Sequence, residues 1–337
     1  MSSGANQFVR EPWRLEPPFT TRTVVIVVIA ALALLWTGNR AEMDRMLGMT
    51  GEAVLYSVGL SDDSQVVDGF GKIASEMLPI VIQQRKPTAR IEGFNPDDLP
   101  PFAYLETEEV TEQRMDPESQ EMVSTTATRE YLVKPFGYAT FVGAKMLETL
   151  EIALWGTIVA VTLSVPLAYF GASNYSPNRW TYFFARSSVS MFRAVPELIS
   201  ALFLVLAYGF GPIAGVLALG IHTAGFLGKF YAEDIENADR KPQEAMKAIG
   251  ANNIKILWTS VLPQVLPQYI AYTLYILDRN VRMATVIGIV GAGGIGQELK
   301  GRYDMYDYDH VGTILLAIFI TVLVLDQIAA ALRRQAL

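Results

Sequence analysis

The chain alternates between long apolar runs and polar segments. The first run, Thr23–Trp36, is nearly unbroken and carries no charge, and Arg22 and Arg40 flank it. Together with its edges, a helix of this kind is long enough to cross the apolar core of a bilayer. Because the polar lead before it is long, we expect a retained helix rather than a cleaved signal peptide. Five further apolar runs follow, at Met146–Phe170, Met191–Tyr208, Pro212–Tyr231, Pro263–Ile289 and Val311–Leu325.

These runs predict an all-α, polytopic membrane protein with about six transmembrane helices. The composition supports this prediction, because 51% of the 337 residues are hydrophobic and 18% are charged. That balance is too apolar for an ordinary soluble domain. Six spans also place both ends of the chain on the same side of the membrane.

Lys and Arg side chains indicate which side that is. In a six-span count, the two tails and the connections after the second and fourth spans fall on one side, and all four contain Lys or Arg residues. Short segments rich in Lys and Arg face the cytoplasm. The side chains concerned are Arg10, Arg14, Arg22, Arg179, Arg186, Arg240, Lys241, Lys247, Lys255, Arg333 and Arg334. We therefore expect both termini in the cytoplasm.

The long polar segment after the first span is acidic. From Arg40 to Lys134 it holds 18 Asp and Glu residues against 9 Lys and Arg residues, which agrees with a position outside the cytoplasm. Phe70–Ile82 has the pattern of a short amphipathic helix near the membrane. Arg90–Arg129 has few aliphatic residues, several prolines and clustered Glu. We expect irregular or disordered chain there, with a structured cap as the alternative.

A polar loop between the fourth and fifth spans contains Glu244–Pro263, which reads EAMKAIGANNIKILWTSVLP. Asp239 suits the N-cap of a short helix there, and Gly250 suits its C-terminal stop. Asn252 or Asn253 suits the N-cap of a second helix. One face of that helix holds Ile254, Leu257, Trp258 and Val261. Two short helices joined at a glycine make a knob that fits a groove in a partner protein, and an ordinary amphipathic loop is the alternative.

This loop resembles the EAA loop of ABC-importer permeases, written as E-A-A, three residues, Gly, nine residues and I-x-L-P. The matching residues are Glu244, Ala245, Gly250, Leu262 and Pro263, while Met246 and Ser260 depart from the pattern. Beyond the loop, the chain from about Leu147 to Arg334 resembles the phosphonate-type permease family. The stretches that carry this resemblance are Glu148–Val161, Arg193–Leu198, Gly211–Glu236, Leu262–Tyr275 and Val290–Leu299.

The resemblance implies a type I ABC-importer permease fold. The chain would be the transmembrane permease subunit of an ATP-driven importer for phosphonate or a related phosphorus oxyanion. Implied partners are a second copy of the chain in a homodimer, two cytoplasmic ATPase subunits and a substrate-binding protein outside the bacterial inner membrane. ATP and Mg²⁺ would bind to the ATPase, so this chain is expected to be no enzyme and to bind no cofactor. The implied ATPase contacts are Glu244, Ala245, Lys247, Gly250, Ile254, Leu262 and Pro263.

The expected division of the chain follows from these inferences. Residues 1–21 form a cytoplasmic tail, 22–39 the first transmembrane helix, 40–145 an acidic periplasmic segment and 146–332 a permease core with five transmembrane helices. Within the core, residues 233–262 form the cytoplasmic coupling loop, and residues 333–337 end the chain as a second cytoplasmic tail. A secondary transporter or channel for a small anion is the alternative function, and a membrane receptor is a third.

The second half of the fifth span carries three charged side chains, Asp278, Arg279 and Arg282, with Asn280 between them. Charged groups inside a membrane span are costly and usually functional. Asp278 and Arg282 are four residues apart and can pair on one helix face, whereas Arg279 lies about 100° around the helix from Asp278. Guanidinium suits phosphonate and phosphate oxygens, so these four residues and His222 of the fourth span are candidates to border an anion pathway. Structural ion pairs, and an interhelical hydrogen bond of His222, are the alternative.

Two further sites have polar side chains near span ends. Arg193 and Glu197 are four residues apart beside Pro196. We expect a structural pair or a lipid-headgroup contact there rather than a substrate contact. Gln264 begins the fifth span on the inner side and is expected to hydrogen-bond between helices or to line the inward mouth.

Several other kinds of chemistry are excluded or disfavoured. The chain has no cysteine, which excludes disulfides and thiolate chemistry. Neither His222 nor His310 has a second His or a carboxylate cluster at metal-ligand spacing, so no metal site is expected. Gly291–Gly296 satisfies G-x-G-x-x-G, but a membrane span precedes it, which favours a tightly packed helix end over a nucleotide site. No P-loop motif occurs, so the ATPase must be another chain.

Overall fold

The computed structural model describes residues 20–115 and 122–336. Residues 1–19 of the predicted N-terminal tail and Leu337 of the predicted C-terminal tail lie outside this range. The chain divides into two compact units, Met1–Ala74 and Ser75–Leu337. The division therefore falls inside the predicted acidic segment 40–145 and not at its end.

The described part of the first unit is helical. Helix α1 (Thr21–Arg40) coincides with the first predicted span, and the Thr20 hydroxyl caps it by accepting a hydrogen bond from the Thr23 backbone N–H at 3.3 Å. None of its residues is buried. Helices α2 (Met43–Ser57) and α3 (Gln65–Glu76) follow. The amphipathic helix expected at Phe70–Ile82 is thus α3, which begins earlier and ends at Glu76, three residues before Pro79.

The second unit contains an antiparallel sheet in the order β1-β3-β2. Its strands are β1 (Gln84–Pro87), β2 (Tyr104–Met115) and β3 (Met122–Lys134), with a short 3₁₀ turn at Thr88–Arg90. Strands β2 and β3 pair along their length, from Tyr104 opposite Val133 to Met115 opposite Met122. The expectation of irregular chain over Arg90–Arg129 is therefore wrong. Thr, Val and Tyr are frequent in both strands and favour pleated backbone, and the clustered Glu residues obscured that signal.

The rest of the second unit is helical. The elements are α4 (Gly137–Gly171), α5 (Arg179–Ala194), α6 (Glu197–Tyr208), α7 (Pro212–Asn237), α8 (Arg240–Ala248), α9 (Asn253–Ile256), α10 (Leu262–Gly288), α11 (Gly294–Asp304) and α12 (Tyr308–Ala336). A π-helical turn, Leu257–Val261, joins α9 to α10. The chain is therefore mostly helical, as the apolar pattern predicts.

The longest packing contact joins α4 to α7 through small residues. A side chain at Gly156 of α4 would lie 3.0 Å from the Leu219 Cβ, and one at Gly220 of α7 would lie 2.6 Å from the Val159 Cγ1. Small residues let helix backbones approach closely in a membrane, where packing replaces the hydrophobic effect as the main source of association. Helices α5, α6 and α10 also pack on α7, which makes α7 the centre of the bundle.

The third predicted span is broken. Helices α5 and α6 meet at an angle of 89° across Val195 and Pro196. Proline lacks a backbone N–H and disfavours the helical conformation of the residue before it. Val195 accordingly has extended backbone, with φ −89° and ψ 120°. The apolar pattern over Met191–Tyr208 continues through this corner and gives no sign of it.

Among the described residues, four helices are long and apolar enough to cross a membrane, or five if α5 and α6 count as one broken span. The four are α1, α4, α7 and α12. Helix α10 has 27 residues, which corresponds to about 40 Å of helix, but it contains Asp278, Arg279 and Arg282. The count of six spans therefore stays a prediction that depends on α10.

We predict that Gly220→Ala destabilises the bundle, because the added methyl group would overlap Val159 and overpacking costs about 1–3 kcal/mol. Gly143→Ala is the matched control, since Gly143 is exposed on α4 and its added Cβ would meet no atom within 4 Å. Melting temperatures of the two purified variants in the same detergent measure the difference. Equal melting temperatures would show that the α4–α7 contact adjusts freely.

Candidate functional site

The predicted knob is present, and its caps are as expected. The Asp239 Oδ1 accepts a hydrogen bond from the Lys241 backbone N–H at 3.0 Å, which begins α8. Gly250 has φ +84°, the left-handed conformation that favours glycine after a helix. The Asn252 Oδ1 accepts from the Lys255 backbone N–H at 2.9 Å and begins α9. We call residues 239–260 the knob.

Buried polar groups fix the knob to the bundle. Gln243 is buried, and its Oε1 accepts a hydrogen bond from the Tyr175 hydroxyl at 3.1 Å. Burial raises the pKa of Tyr175, so this hydroxyl keeps its proton and remains a donor. At the start of α10, the Gln264 Oε1 accepts from the Asp239 backbone N–H at 3.0 Å. Gln264 thus makes the expected contact between helices, whereas the role of Gln243 was not predicted.

The outer face of the knob combines charged and apolar side chains. Glu244, Ala245, Lys247, Gly250 and Ile254 are exposed, as is Pro263 beyond the knob, while Leu262 is half-buried. Ile249 beside them is also exposed, at 76%. The four apolar residues predicted to share a face, Ile254, Leu257, Trp258 and Val261, all line one apolar groove of about 700 Å³ between α4 and α10.

On α10, Arg282 lies between two carboxylates. It contacts Asp278 through two hydrogen bonds of 2.7 and 3.2 Å, as predicted, and also Asp326 of α12 at 3.0 Å. Asp278 is buried, whereas Arg282 and Asp326 are about half exposed. With both carboxylates ionised, the group carries a net charge of −1. This arrangement ties α10 to α12 and is unfavourable for an anion.

Asn280 faces a different side of α10 and is 1% exposed. Its amide donates a hydrogen bond to the Thr157 hydroxyl of α4 at 3.0 Å, and its Oδ1 accepts one from the Thr223 hydroxyl of α7 at 3.2 Å. Asn280 therefore joins three helices. Neither threonine was singled out from the sequence, where hydroxyl groups in apolar spans are common.

Glu197 of α6 contacts both Arg279 and His222, the two remaining candidates for the anion pathway. Its Oε1 accepts a hydrogen bond from Arg279 of α10 at 2.8 Å, and its Oε2 lies 3.1 Å from the His222 Nε2 of α7. The expected pair of Arg193 with Glu197 is not formed, so of the two contacts predicted for this site only the lipid-headgroup contact stays a prediction. The i, i+4 spacing holds only within one continuous helix, and the 89° corner at Pro196 separates these two residues.

Arg193 and Arg279 both contact one aromatic ring. Their guanidinium carbons lie 5.0 and 5.1 Å from the centre of the Phe226 ring on α7. The Arg193 Nε is buried without a hydrogen-bond partner. With Glu197 ionised and His222 neutral, the group Arg193–Glu197–His222–Arg279 carries a net charge of +1. We call these four residues the bend cluster.

The glycine-rich segment after α10 is a packed helix end, as predicted. Gly291, Gly293 and Gly294 have φ values of +94°, +85° and +71°. The Gly294 backbone N–H donates a hydrogen bond to the Glu148 Oε1 at 2.9 Å. The next N–H, that of Ile295, donates to the Thr149 hydroxyl at 2.8 Å. The amides that would face a phosphate in a nucleotide site are thus directed at α4.

His310 corrects the sequence-based expectation about metal ligands. Its Nδ1 lies 2.6 Å from the Asp307 Oδ1 and 3.0 Å from the Asp309 Oδ1, and the three ligand atoms fall within 4.8 Å of one another. The close spacing of these residues in the sequence was the missed signal. Arg302 donates to Asp307 at 2.7 Å, so these carboxylates already have cationic or N–H partners and the group is explained without a metal ion.

Apolar helices long enough to cross a bilayer, with charged side chains gathered between them, are typical of a multi-pass membrane protein. Residues 164–335 match the family described as binding-protein-dependent transport system inner membrane component. The chain belongs to this family, and it is the membrane permease component of such a system.

Relatives of known description agree with this assignment. The chain is 58% identical over 257 residues to the phosphite transport system permease protein HtxE of Stutzerimonas stutzeri, covering 76% of this chain and 98% of that one. It is 41% identical over 198 residues to the phosphite transport system permease protein PtxC of the same organism, covering 59% and 72%. A crystal structure of an amino acid ABC transporter matches with a TM-score of 0.51 at 16% identity, over 59% of this chain and 95% of that one. The type I ABC-importer permease fold is therefore confirmed.

Proposed function

We propose that this chain conducts a phosphorus oxyanion, phosphite or a phosphonate, across the inner membrane as half of an ATP-driven importer. The two relatives described above are named for phosphite transport, which supports this class of cargo. The positive charge of the bend cluster is compatible with it, because an oxyanion crossing a low-dielectric region needs a compensating charge.

The observation that carries the ATP-driven part of the proposal is the anchored knob. Its polar attachments to Tyr175 and Gln264 hold it against the bundle, while its outer face exposes Glu244, Lys247 and Ile249. A rigid helical projection with an uncovered apolar side chain is suited to a groove on a partner protein. We therefore assign this face to the ATPase.

The complete importer in this proposal contains two copies of the chain and two ATPase subunits that bind ATP and Mg²⁺. A substrate-binding protein delivers the anion from outside. Both termini and the knob are cytoplasmic, and residues 40–145 are external. Such an arrangement places ATP hydrolysis and cargo binding in other chains, so the permease itself supplies the path and the coupling surface.

Within the bundle, we propose that Arg279 and His222 border the path. Arg279 is one-quarter exposed and belongs to the positive bend cluster. By contrast, Arg282 and Asp278 act as a brace between α10 and α12, because their surroundings are negative. Asn280 holds α10 to α4 and α7 from a buried position. The sequence-based hypothesis that Arg282 borders the path is the competing assignment.

A secondary transporter or anion channel is the alternative function. A protein of that kind needs neither ATP nor a contact between the knob and an ATPase. Purification of the tagged chain from its native membrane distinguishes the two, since an importer brings an ATPase with it and depends on ATP for uptake. Uptake by this chain alone, driven by an ion gradient, would reject the importer proposal.

We predict that Gly250→Val and Glu244→Arg each weaken the ATPase contact. Valine in the left-handed conformation at Gly250 costs about 1–2 kcal/mol and distorts the corner, while Glu244→Arg reverses a charge on the docking face. The amount of co-purified ATPase and the coupled rate of ATP hydrolysis are the measurements.

Gly209→Val is the matched control for this experiment. Gly209 also has a positive φ, +86°, and open space around it, but it follows α6 and lies outside the knob. Normal assembly and coupling in the two knob variants, or equal losses in Gly209→Val, would argue against the assignment.

We predict that replacing each of the two arginines of α10 by Gln has a different effect. Arg279→Gln should lower phosphite uptake by about tenfold or more while the complex stays assembled, because it removes a charge-assisted contact from the path. Arg282→Gln should lower the melting temperature of the complex, since Asp278 and Asp326 then face each other without a cation. Arg279→Lys, which keeps the charge, and the double variant Glu197→Gln/Arg279→Gln, which removes both charges, serve as folding controls.

The contrast between these variants decides the position of the path. Slow uptake by an intact Arg282→Gln complex, together with normal uptake by Arg279→Gln, would move the path to the α10–α12 side, as the sequence-based hypothesis has it.

We predict that a cysteine at Thr128, exposed on β3, reacts with a membrane-impermeant maleimide added to intact cells, or to spheroplasts if an outer membrane is present. A cysteine at Lys247, exposed on α8, should react after the membrane is permeabilised. The cysteine-free chain makes each label unambiguous. Ser119, a second external position expected from the sequence, lies outside the described residues. The reverse pattern would overturn the topology.

A further inference from the structure

Arg193 is an unpaired cation at the corner between two helices. It is the second-last residue of α5, and no acidic side chain in the described parts of the chain forms an ion pair with it. Its Nε is buried and has no hydrogen-bond partner. A guanidinium offers five N–H donors, and burying a donor without an acceptor is unfavourable. The Arg193 guanidinium is therefore suited to an acceptor that carries negative charge.

The position of Arg193 is fixed by the helix beside it. A Cβ at Gly225 of α7 would lie 2.7 Å from the Arg193 Cγ and 2.9 Å from the Val189 carbonyl oxygen. The absence of a side chain at Gly225 thus lets the stem of Arg193 lie against α7. From there its guanidinium reaches the Phe226 ring, which Arg279 also contacts.

His222 and Glu197 do not cancel the positive charge of the two arginines in the bend cluster. The His222 Nδ1 lies 2.9 Å from the Val195 carbonyl oxygen, which only accepts hydrogen bonds, so Nδ1 is the donor. The His222 Nε2 faces the Glu197 Oε2 at 3.1 Å, and a hydrogen bond there needs one more proton on either group. The net charge of the cluster is +1 without that proton and +2 with it.

We propose that Arg193 and Arg279 together bind a phosphorus-bearing oxyanion at the α5–α6 corner. The Glu197 carboxylate pairs with Arg279 until the anion displaces it. The Glu197 carboxylate has the charge and the acceptor geometry of such an anion. The proposal deepens the proposed function and rests on it for the identity of the anion. The positive site itself can be measured without any cargo.

The first experiment measures the local potential with thiol reagents of opposite charge. Val195 is 42% exposed at the corner, so Val195→Cys provides one thiol in a cysteine-free chain. The intact importer in nanodiscs is treated with a sulfonate-bearing and with a trimethylammonium-bearing methanethiosulfonate. We expect the anionic reagent to react faster. Arg193→Gln should lower the ratio of the two rates by about fivefold or more, as expected for a unit charge removed at short range in a medium of intermediate dielectric.

Two variants separate charge from structure. Arg193→Lys should keep most of the ratio, because it preserves the charge. Arg179→Gln, at the exposed start of the same helix and about 20 Å away, should leave the ratio unchanged. An unchanged ratio in Arg193→Gln, equal changes in Arg179→Gln, or a thiol that reacts with neither reagent would overturn the proposal.

The second experiment identifies the anion. In nanodiscs of phosphatidylcholine alone, phosphite and methylphosphonate should slow the reaction of the anionic reagent with the Val195→Cys thiol when Arg193 is present and not in Arg193→Gln. Glu197→Gln should lower the phosphite concentration that gives half-protection, since Arg279 is then unoccupied. Unaltered or weaker protection in Glu197→Gln would contradict the role of that carboxylate.

A lipid headgroup offers the same phosphate chemistry, and the lipid composition distinguishes it from free anion. Protection that requires phosphatidylglycerol and does not respond to phosphite would assign the site to a lipid and overturn the proposal. If the importer fails to take up phosphite, the proposed cargo is wrong, yet the ratio of reagent rates still reports whether Arg193 creates an anion site.

Discussion

Lipid offers no partner for a charge, so burying an ionised side chain inside the apolar bundle is costly unless a counter-charge from the protein accompanies it. Much of the helix arrangement follows from this requirement. Glu197 of α6 can be buried because Arg279 and His222 reach it from α10 and α7. Asp278 is buried because Arg282 accompanies it on the same helix. The contacts of Glu197, which cross between helices, fix α6 relative to α7 and α10, and apolar packing alone does this less specifically.

Close helix packing makes these polar contacts possible. Glycines at the α4–α7 contact bring the two backbones together, and Asn280 of α10 then reaches a hydroxyl on each of them. A larger side chain at Gly220 would separate the helices and also lengthen those hydrogen bonds. The packing and the polar contacts therefore depend on each other, even though the residues involved lie far apart in the sequence.

The knob is joined to α7 and α10, two of the four helices that carry the bend cluster. Its first residue, Asp239, follows α7 after one residue, and its backbone is bonded to Gln264 near the start of α10. His222 lies further along α7, and Arg279 lies further along α10. A displacement of the knob therefore acts on both helices at once, without an intervening flexible loop. This connection gives a physical route from the knob to the bend cluster.

The sequence by itself determined the features that depend on neighbouring residues. Apolar runs predicted the long helices. The knob was predicted from Asp239, Gly250 and Asn252, and the ion pair from the spacing of Asp278 and Arg282. The sequence did not determine contacts between distant elements. The partners of Glu197 depend on the corner at Pro196 and on three helices meeting there. The sheet depends on pairing β3 with β2, and the Glu-rich composition of β2 resembles disordered chain. Local propensity is set by residues within one or two turns, whereas charge pairing and strand pairing are set by the tertiary structure that brings separate segments together.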